Sequence, residues 1–223
     1  MKKATLLFAL VAMMAMGTTA SAQLSFSVKA GLNTTTMTWQ DATTKYEPGW
    51  LLGFNAGVGM EIGLTDILAL EVDALFSRKG CKRENILPTL NTKTQDIYSQ
   101  FYVDIPVNLK AYFLTLGSDL KLFAQVGPYV GFGLFGKRKY MTETTVGDNT
   151  SSGKSTKDFI WGNEAPADYR RLDWGADFGL GLEYDQLSVG LIWWQGFANV
   201  AAVQSANTKN THRGLSVELG WKF

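Results

Sequence analysis

Large apolar residues recur at every second position in eight stretches of this 223-residue chain. The first is LSFSVKAGL over 24–32, with Leu24, Phe26, Val28, Ala30 and Leu32 on one side. The others are LGFNAGVGMEI (52–62), LALEVDALF (68–76), FYVDIPVNLKA (101–111), LKLFAQVGPYVGFGL (120–134), LDWGADFGLGLEY (172–184), LSVGLIW (187–193) and LSVELGWKF (215–223). Strict alternation of this kind marks strands, because successive side chains of a strand point to opposite faces. Most of the stretches exceed the ~5–6 residues usual for soluble strands. They suit the ~9–11 residues that a tilted strand needs to cross a bilayer.

The two faces differ in kind. None of the alternate apolar positions carries a charge, whereas Lys29, Glu61, Glu71, Asp73, Asp104, Lys110, Lys121, Asp173, Asp177, Glu183, Glu218 and Lys222 lie between them. A soluble sandwich buries its apolar face but has no reason to keep that face free of charge over every strand. A lipid-facing surface does, since Arg or Lys at the bilayer midplane costs about 2–4 kcal/mol.

Spacing gives a second signal. Long gaps near 39–49, 79–97, 136–170 and 198–212 alternate with short ones at 63–66, 115–119 and 185–186. Membrane barrels alternate long extracellular loops with short periplasmic turns in this way, which puts both termini in the periplasm. Trp50, Phe76, Phe101 and Trp193 fall near one set of strand ends, and Phe26, Tyr184, Trp221 and Phe223 near the other. Those are the places of the two aromatic girdles. The pattern predicts an all-β fold, an eight-stranded antiparallel up-and-down transmembrane β-barrel. Pro106 and Pro128 lie inside predicted strands; proline cannot donate to a ladder, so β-bulges are expected there.

The first 22 residues read as a signal peptide: basic MKK, an apolar run, then Ala20-Ser21-Ala22 as an A-x-A cleavage pattern. The barrel domain is then 23–223. A net charge of +1 gives no case for nucleic acid. With one cysteine, Cys81, no internal disulfide forms; with one histidine, His212, no two-histidine metal site forms. No cofactor is expected.

The stretches FYVDIPVNLKAYF, KLFAQVGPYVGFGL, LDWGADFGLGLEY and LSVGLIWWQGFANV resemble the outer-membrane-protein β-barrel domain of PorT-like, porin-family proteins, and the chain is also similar in outline to small OmpX-like barrels. The D-I-P of 104–106 and the G-P-Y of 127–129 belong to that resemblance, which spans essentially the whole mature chain. It implies a Gram-negative outer membrane and no single substrate. The ending, with Trp221 and Phe223, looks like the signal by which barrel-assembly machinery recognises its clients. Outer-membrane lipid is thus one partner and that machinery another.

The inward acids outnumber the inward bases eight to four. Eight strands leave an interior just wide enough for side chains, so these twelve charges are expected to form a lumen network that plugs the barrel; the alternative is a narrow cation-selective pore. His212 is expected to be a solvated rim histidine rather than a catalytic group of a lipid-modifying enzyme, because no nucleophile motif surrounds it. The chain therefore reads as a non-enzyme. Cys81, in the basic run SRKGCKRE, is expected to be a free thiol whose neighbouring cations would lower its pKa. Lys137, Arg138 and Lys139 open the longest predicted loop and offer a contact for lipopolysaccharide phosphates or a protein partner. GDNTSSGKS in the same loop is one residue out of register for a phosphate-binding loop and lacks its strand-to-helix setting. The functional expectation is a structural or interaction role through the outer loops, with a small-solute channel or a part in a secretion or assembly machine as alternatives.

Overall fold

The computed structural model describes residues 24–40, 45–87, 92–117, 119–146, 149–202 and 209–223. The signal-peptide reading lies outside the described residues. Ten strands follow in order: β1 (Leu24–Gln40), β2 (Lys45–Tyr46), β3 (Leu51–Gly63), β4 (Leu68–Leu87), β5 (Thr92–Leu116), β6 (Leu120–Val146), β7 (Asn149–Asp158), β8 (Leu172–Tyr184), β9 (Leu187–Gly196) and β10 (Lys209–Lys222). Eight of them form an up-and-down antiparallel ring in the order β1-β3-β4-β5-β6-β8-β9-β10. The ring closes where β10 pairs with β1, from Ser27 opposite Lys222 to Gln40 opposite Lys209. The short β2 and the hairpin arm β7 sit outside the ring, paired to β1 and β6.

The fold is inverted with respect to water-soluble proteins, and the period-two pattern is the reason. Outward positions are large and apolar: Val58 is 56% exposed and Leu180 60%. Inward positions are polar and covered: Asp173 is 0% exposed and Lys110 2%. In water such an exposed surface would forfeit roughly 25 cal/mol for each Å² of apolar area left wet. In hydrocarbon it costs nothing, and the closed ring leaves no unpaired strand edge to the lipid.

At one end of the ring the turns are short. Leu64 and Thr65 donate backbone N–H bonds to Leu68 O, at 2.8 and 3.0 Å. Gly117 takes a left-handed φ of 69° in the next turn, and Asp185 one of 52° in the two-residue link to β9. At the other end the strands run on past the expected loops. The 79–97 gap is mostly hairpin, since β4 and β5 pair from Lys79 opposite Gln100 to Leu87 opposite Thr92. The expected 136–170 loop begins as a second hairpin, β6–β7, and is irregular only from about 159 onward.

The prolines are accommodated differently from expectation. Register shifts fall at Phe101/Tyr102 and Tyr112/Leu114, not at Pro106 or Pro128. Ladder pairing lapses instead, between Val72–Val107 and Leu75–Asp104 beside Pro106, and between Pro106–Tyr129 and Leu109–Val126 beside Pro128. Each proline lacks one N–H toward one neighbour, so a local gap with unchanged register suffices.

Aromatic side chains cluster in a band toward the long end. Phe54, Phe76, Phe101 and Phe135 form a continuous outward chain, with ring centres 4.7–6.5 Å apart. Trp50 and Trp193 lie 6.3 Å from one another in the same region.

Candidate functional site

The lumen is filled in three storeys. At the short-turn end, Lys110 Nζ lies 2.9 Å from Glu61, 3.3 Å from Glu71 and 3.0 Å from Glu183. Lys222 Nζ lies 2.9 Å from Glu61 and pairs with Glu183 as well. The Tyr112 hydroxyl sits 2.9 Å from Glu61 and 3.0 Å from Glu183. Lys29 completes the storey, 2.8 Å from Asp73 and paired with Glu71. The strand period puts all these groups on inner faces, and the ring brings β1, β3, β4, β5, β8 and β10 within side-chain reach. Below them a vestibule of about 600 Å³ opens toward the turns.

The upper storey is built on Lys79. Its ammonium lies 2.8 Å from Asp104 and 3.3 Å from Asp173. It also stands over the rings of Tyr102, Tyr129 and Trp194, at 5.0, 4.6 and 4.5 Å from their centres. Carboxylates and aromatic faces together replace the water this cation has lost. The Tyr129 hydroxyl lies 3.3 Å from the same Asp173 oxygen.

Between the storeys lie Asp177 and Glu218. Glu218 accepts from Asn55 Nδ2 at 2.5 Å and from Ser216 Oγ at 2.8 Å. Asp177 is nearly buried and shares a cavity wall with Lys79.

Eleven of the twelve expected network residues line this interior: Lys29, Glu61, Glu71, Asp73, Asp104, Lys110, Asp173, Asp177, Glu183, Glu218 and Lys222. Lys121 does not join the buried network; it is exposed at the vestibule rim, its ammonium 5.4 Å from the Tyr112 ring. Lys79, inside the gap expected at 79–97, lies instead at the centre of the upper storey. The signal that would have found it is parity: Glu71, Asp73, Ser77 and Lys79 all occupy inward positions of one uninterrupted strand.

His212 is a second correction. It is fully buried, not solvated, because β10 begins at Lys209 and carries it inside. Its Nε2 lies 2.6 Å from Gln100 Oε1, and its Nδ1 3.3 Å from Asp173 outside hydrogen-bonding geometry. No hydroxyl or thiol is hydrogen-bonded to it among the described residues.

Cys81 is the third. It is fully buried with Met37, Tyr169, Ala198 and Val200, ringed by Trp39, Tyr98, Phe159 and Trp161. Burial, and after it the nearby Asp96 carboxylate, push its thiol upward rather than downward. Phe159 packs on Tyr98 at 6.2 Å and on Tyr169 at 4.9 Å, and Trp161 meets Tyr102 at 5.8 Å. Gly133 makes room for Trp161, whose ring would collide with any Cβ there. This apolar stopper caps the lumen at the long end.

The basic run is split by strand alternation, since 137–139 lie in β6 rather than a loop. Arg138 turns to Asp96, with Nε 2.8 Å from Oδ1. Lys137 and Lys139 share the other face, continuing the outward line from Phe135. At the chain end, Trp221 and Phe223 are both outward and exposed, and Phe223 N donates to Phe26 O at 2.8 Å.

A family model described as the outer membrane protein beta-barrel domain matches residues 18–201. No curated protein matches the chain. Among solved structures, the chain is similar to Ail, the attachment invasion locus protein of Yersinia pestis, at 10% identity over 89% of this chain and 98% of that one, with a TM-score of 0.38. It is also similar to the outer membrane protein OprG from Pseudomonas aeruginosa, at 10% identity over 91% and 97% of the two chains, with a TM-score of 0.45.

Proposed function

The chain belongs to the outer membrane protein β-barrel domain family, and from that premise we propose an integral outer-membrane protein that acts through its extracellular rim and not through an open pore or an active site. The observation that carries this reading is the plug. Lys79, held between Asp104 and Asp173 and roofed by Tyr102, Tyr129 and Trp194, crosses the lumen where an open channel would need water. The aromatic stopper around Cys81 stands above it.

The long-loop end is the extracellular one in this reading and both termini are periplasmic, supported by the alternation of short and extended connections. His212 acts as a structural member of the plug, its ring enclosed and without a nucleophile. Lys137 and Lys139, just beyond the aromatic band, are suited to lipopolysaccharide phosphates, while Arg138 serves the hairpin. Trp221 and Phe223 form the outward-facing ending that barrel-assembly machinery would read.

Planar-bilayer recording tests the proposal. The purified barrel is expected to give no stable conductance steps at moderate voltage. Long-lived, reproducible single-channel currents would overturn it in favour of a small-solute channel.

A further inference from the structure

β6 pairs with β8 only as far as Phe132; farther out it pairs with β7, from Lys137 opposite Asp158 to Val146 opposite Asn149. With the outer parts of β4 and β5, these two strands make a four-stranded sheet that stands beyond the aromatic band. β7 is its last strand. Among the described residues nothing pairs with the far side of β7, and all ten of its residues are exposed. Strand parity tells which backbone groups point to that open side. Phe159, the next residue, donates its N–H to Gly136 O at 2.9 Å, so these two form a hydrogen-bonded pair. Such pairs alternate along an antiparallel ladder. Ser151, Gly153, Ser155 and Lys157 therefore spend their N–H and C=O groups on β6. Thr150, Ser152, Lys154, Thr156 and Asp158 turn theirs away, along roughly 30 Å of strand edge.

Natural sheets guard an exposed edge with proline, a bulge or charge. β7 carries no proline, its pairing with β6 runs without a register shift, and its side chains are mostly small serine, threonine and glycine. Its guards are Lys154 and Lys157, three residues apart and so on opposite faces of the sheet. The β6–β7 arm is basic on both faces: Lys137, Lys139 and Lys154 lie on one with Glu143 and Asp158, and Arg138 and Lys157 on the other. Like charges set opposite one another weaken a strand pair. This edge therefore disfavours a second copy of itself and suits an acidic strand.

We propose that β7 is a docking edge: an extended, acidic segment of a partner protein adds to it as a further strand of the extracellular sheet. The backbone groups of Thr150, Ser152, Lys154, Thr156 and Asp158 supply the attachment, and carboxylates opposite Lys154 and Lys157 supply the selection. The small side chains between them let the incoming backbone approach. This inference rests on the reading of the extracellular rim as the working end of the protein. A conducting barrel would sink that reading, whereas the behaviour of the edge amides decides this one.

The test is amide hydrogen exchange, followed by NMR, on the full mature barrel in detergent micelles with a synthetic strand peptide. The peptide alternates threonine and valine and carries two glutamates spaced to face Lys154 and Lys157. Without it, the amides of Ser151, Gly153, Ser155 and Lys157 are expected to be protected and those of Thr150, Ser152, Lys154 and Thr156 open. Saturating peptide is expected to slow exchange at the open set at least about tenfold, as a newly formed ladder would. Ser152→Pro with Thr156→Pro removes two edge N–H groups and spares the β6 ladder, so peptide binding is expected to weaken at least about tenfold. Lys154→Glu with Lys157→Glu is an independent arm should the prolines disturb the hairpin. It is expected to reject this peptide and to accept one with lysines in place of the glutamates. No slowing at the open set would overturn the proposal, as would undiminished binding by the proline variant or equal binding of both peptides by the wild type. Equal slowing by dextran sulfate, which has charge and no peptide backbone, would overturn it too.

Discussion

Lys79 meets Asp173 across the lumen at 3.3 Å, although 94 positions separate them in the chain. The contact joins β4 to β8 through the centre of the barrel rather than along any strand pair. Removing the ammonium leaves Asp104 and Asp173 covered and uncompensated.

Lys79→Met should therefore destabilise the barrel by roughly 3–5 kcal/mol, the usual cost of breaking a buried pair from one side. Equilibrium unfolding by guanidinium in micelles measures it. Lys121→Met, at an exposed site with the same chemistry, should change stability by no more than about 0.5 kcal/mol. Similar values for the two variants would contradict the plug.

Much of this fold is legible in the sequence. Alternation located the eight ring strands because hydrocarbon outside and a polar lumen inside impose opposite demands on neighbouring residues. The signal fades beyond the aromatic band. There both faces meet polar surroundings, so Arg78, Lys79, Lys82 and Arg83 look like a loop although they belong to one strand. Lys79, Cys81 and His212 read as loop or rim residues for that reason. Extending the parity of Glu71–Asp73 and of Ser216–Glu218 upward would have placed them inside. The aromatic stopper was less accessible: Phe159, Trp161 and Tyr169 come from an irregular segment that no period describes.

Val126 is central in the spanning part of β6 and faces outward at 46% exposure. Val126→Arg should cost about 2–4 kcal/mol in phospholipid vesicles, the range for a cation at the bilayer midplane. Urea unfolding of the vesicle-inserted protein gives the value. An effect of a few tenths would argue that this face is not in lipid.

Cys81 should be inert while the barrel is folded. Burial raises its thiol pKa and the stopper excludes reagents, so the reactive thiolate is scarce at neutral pH. A maleimide is expected to label the unfolded chain rapidly and the folded barrel at least about tenfold more slowly. Equal rates would mean that the stopper is open or differently packed.

Trp193 and Trp194 are neighbours on β9 with opposite exposure, 37% and 8%. They report the central claim, that one face of each strand meets hydrocarbon and the other a closed polar interior. Two variants, each keeping one of these tryptophans and phenylalanine at the other tryptophan positions, are inserted into vesicles containing brominated phospholipid. Bromine quenches indole fluorescence on contact. Strong quenching of the Trp193 variant with little in the Trp194 variant is the expected result; equal quenching of both, or none in either, would contradict the account.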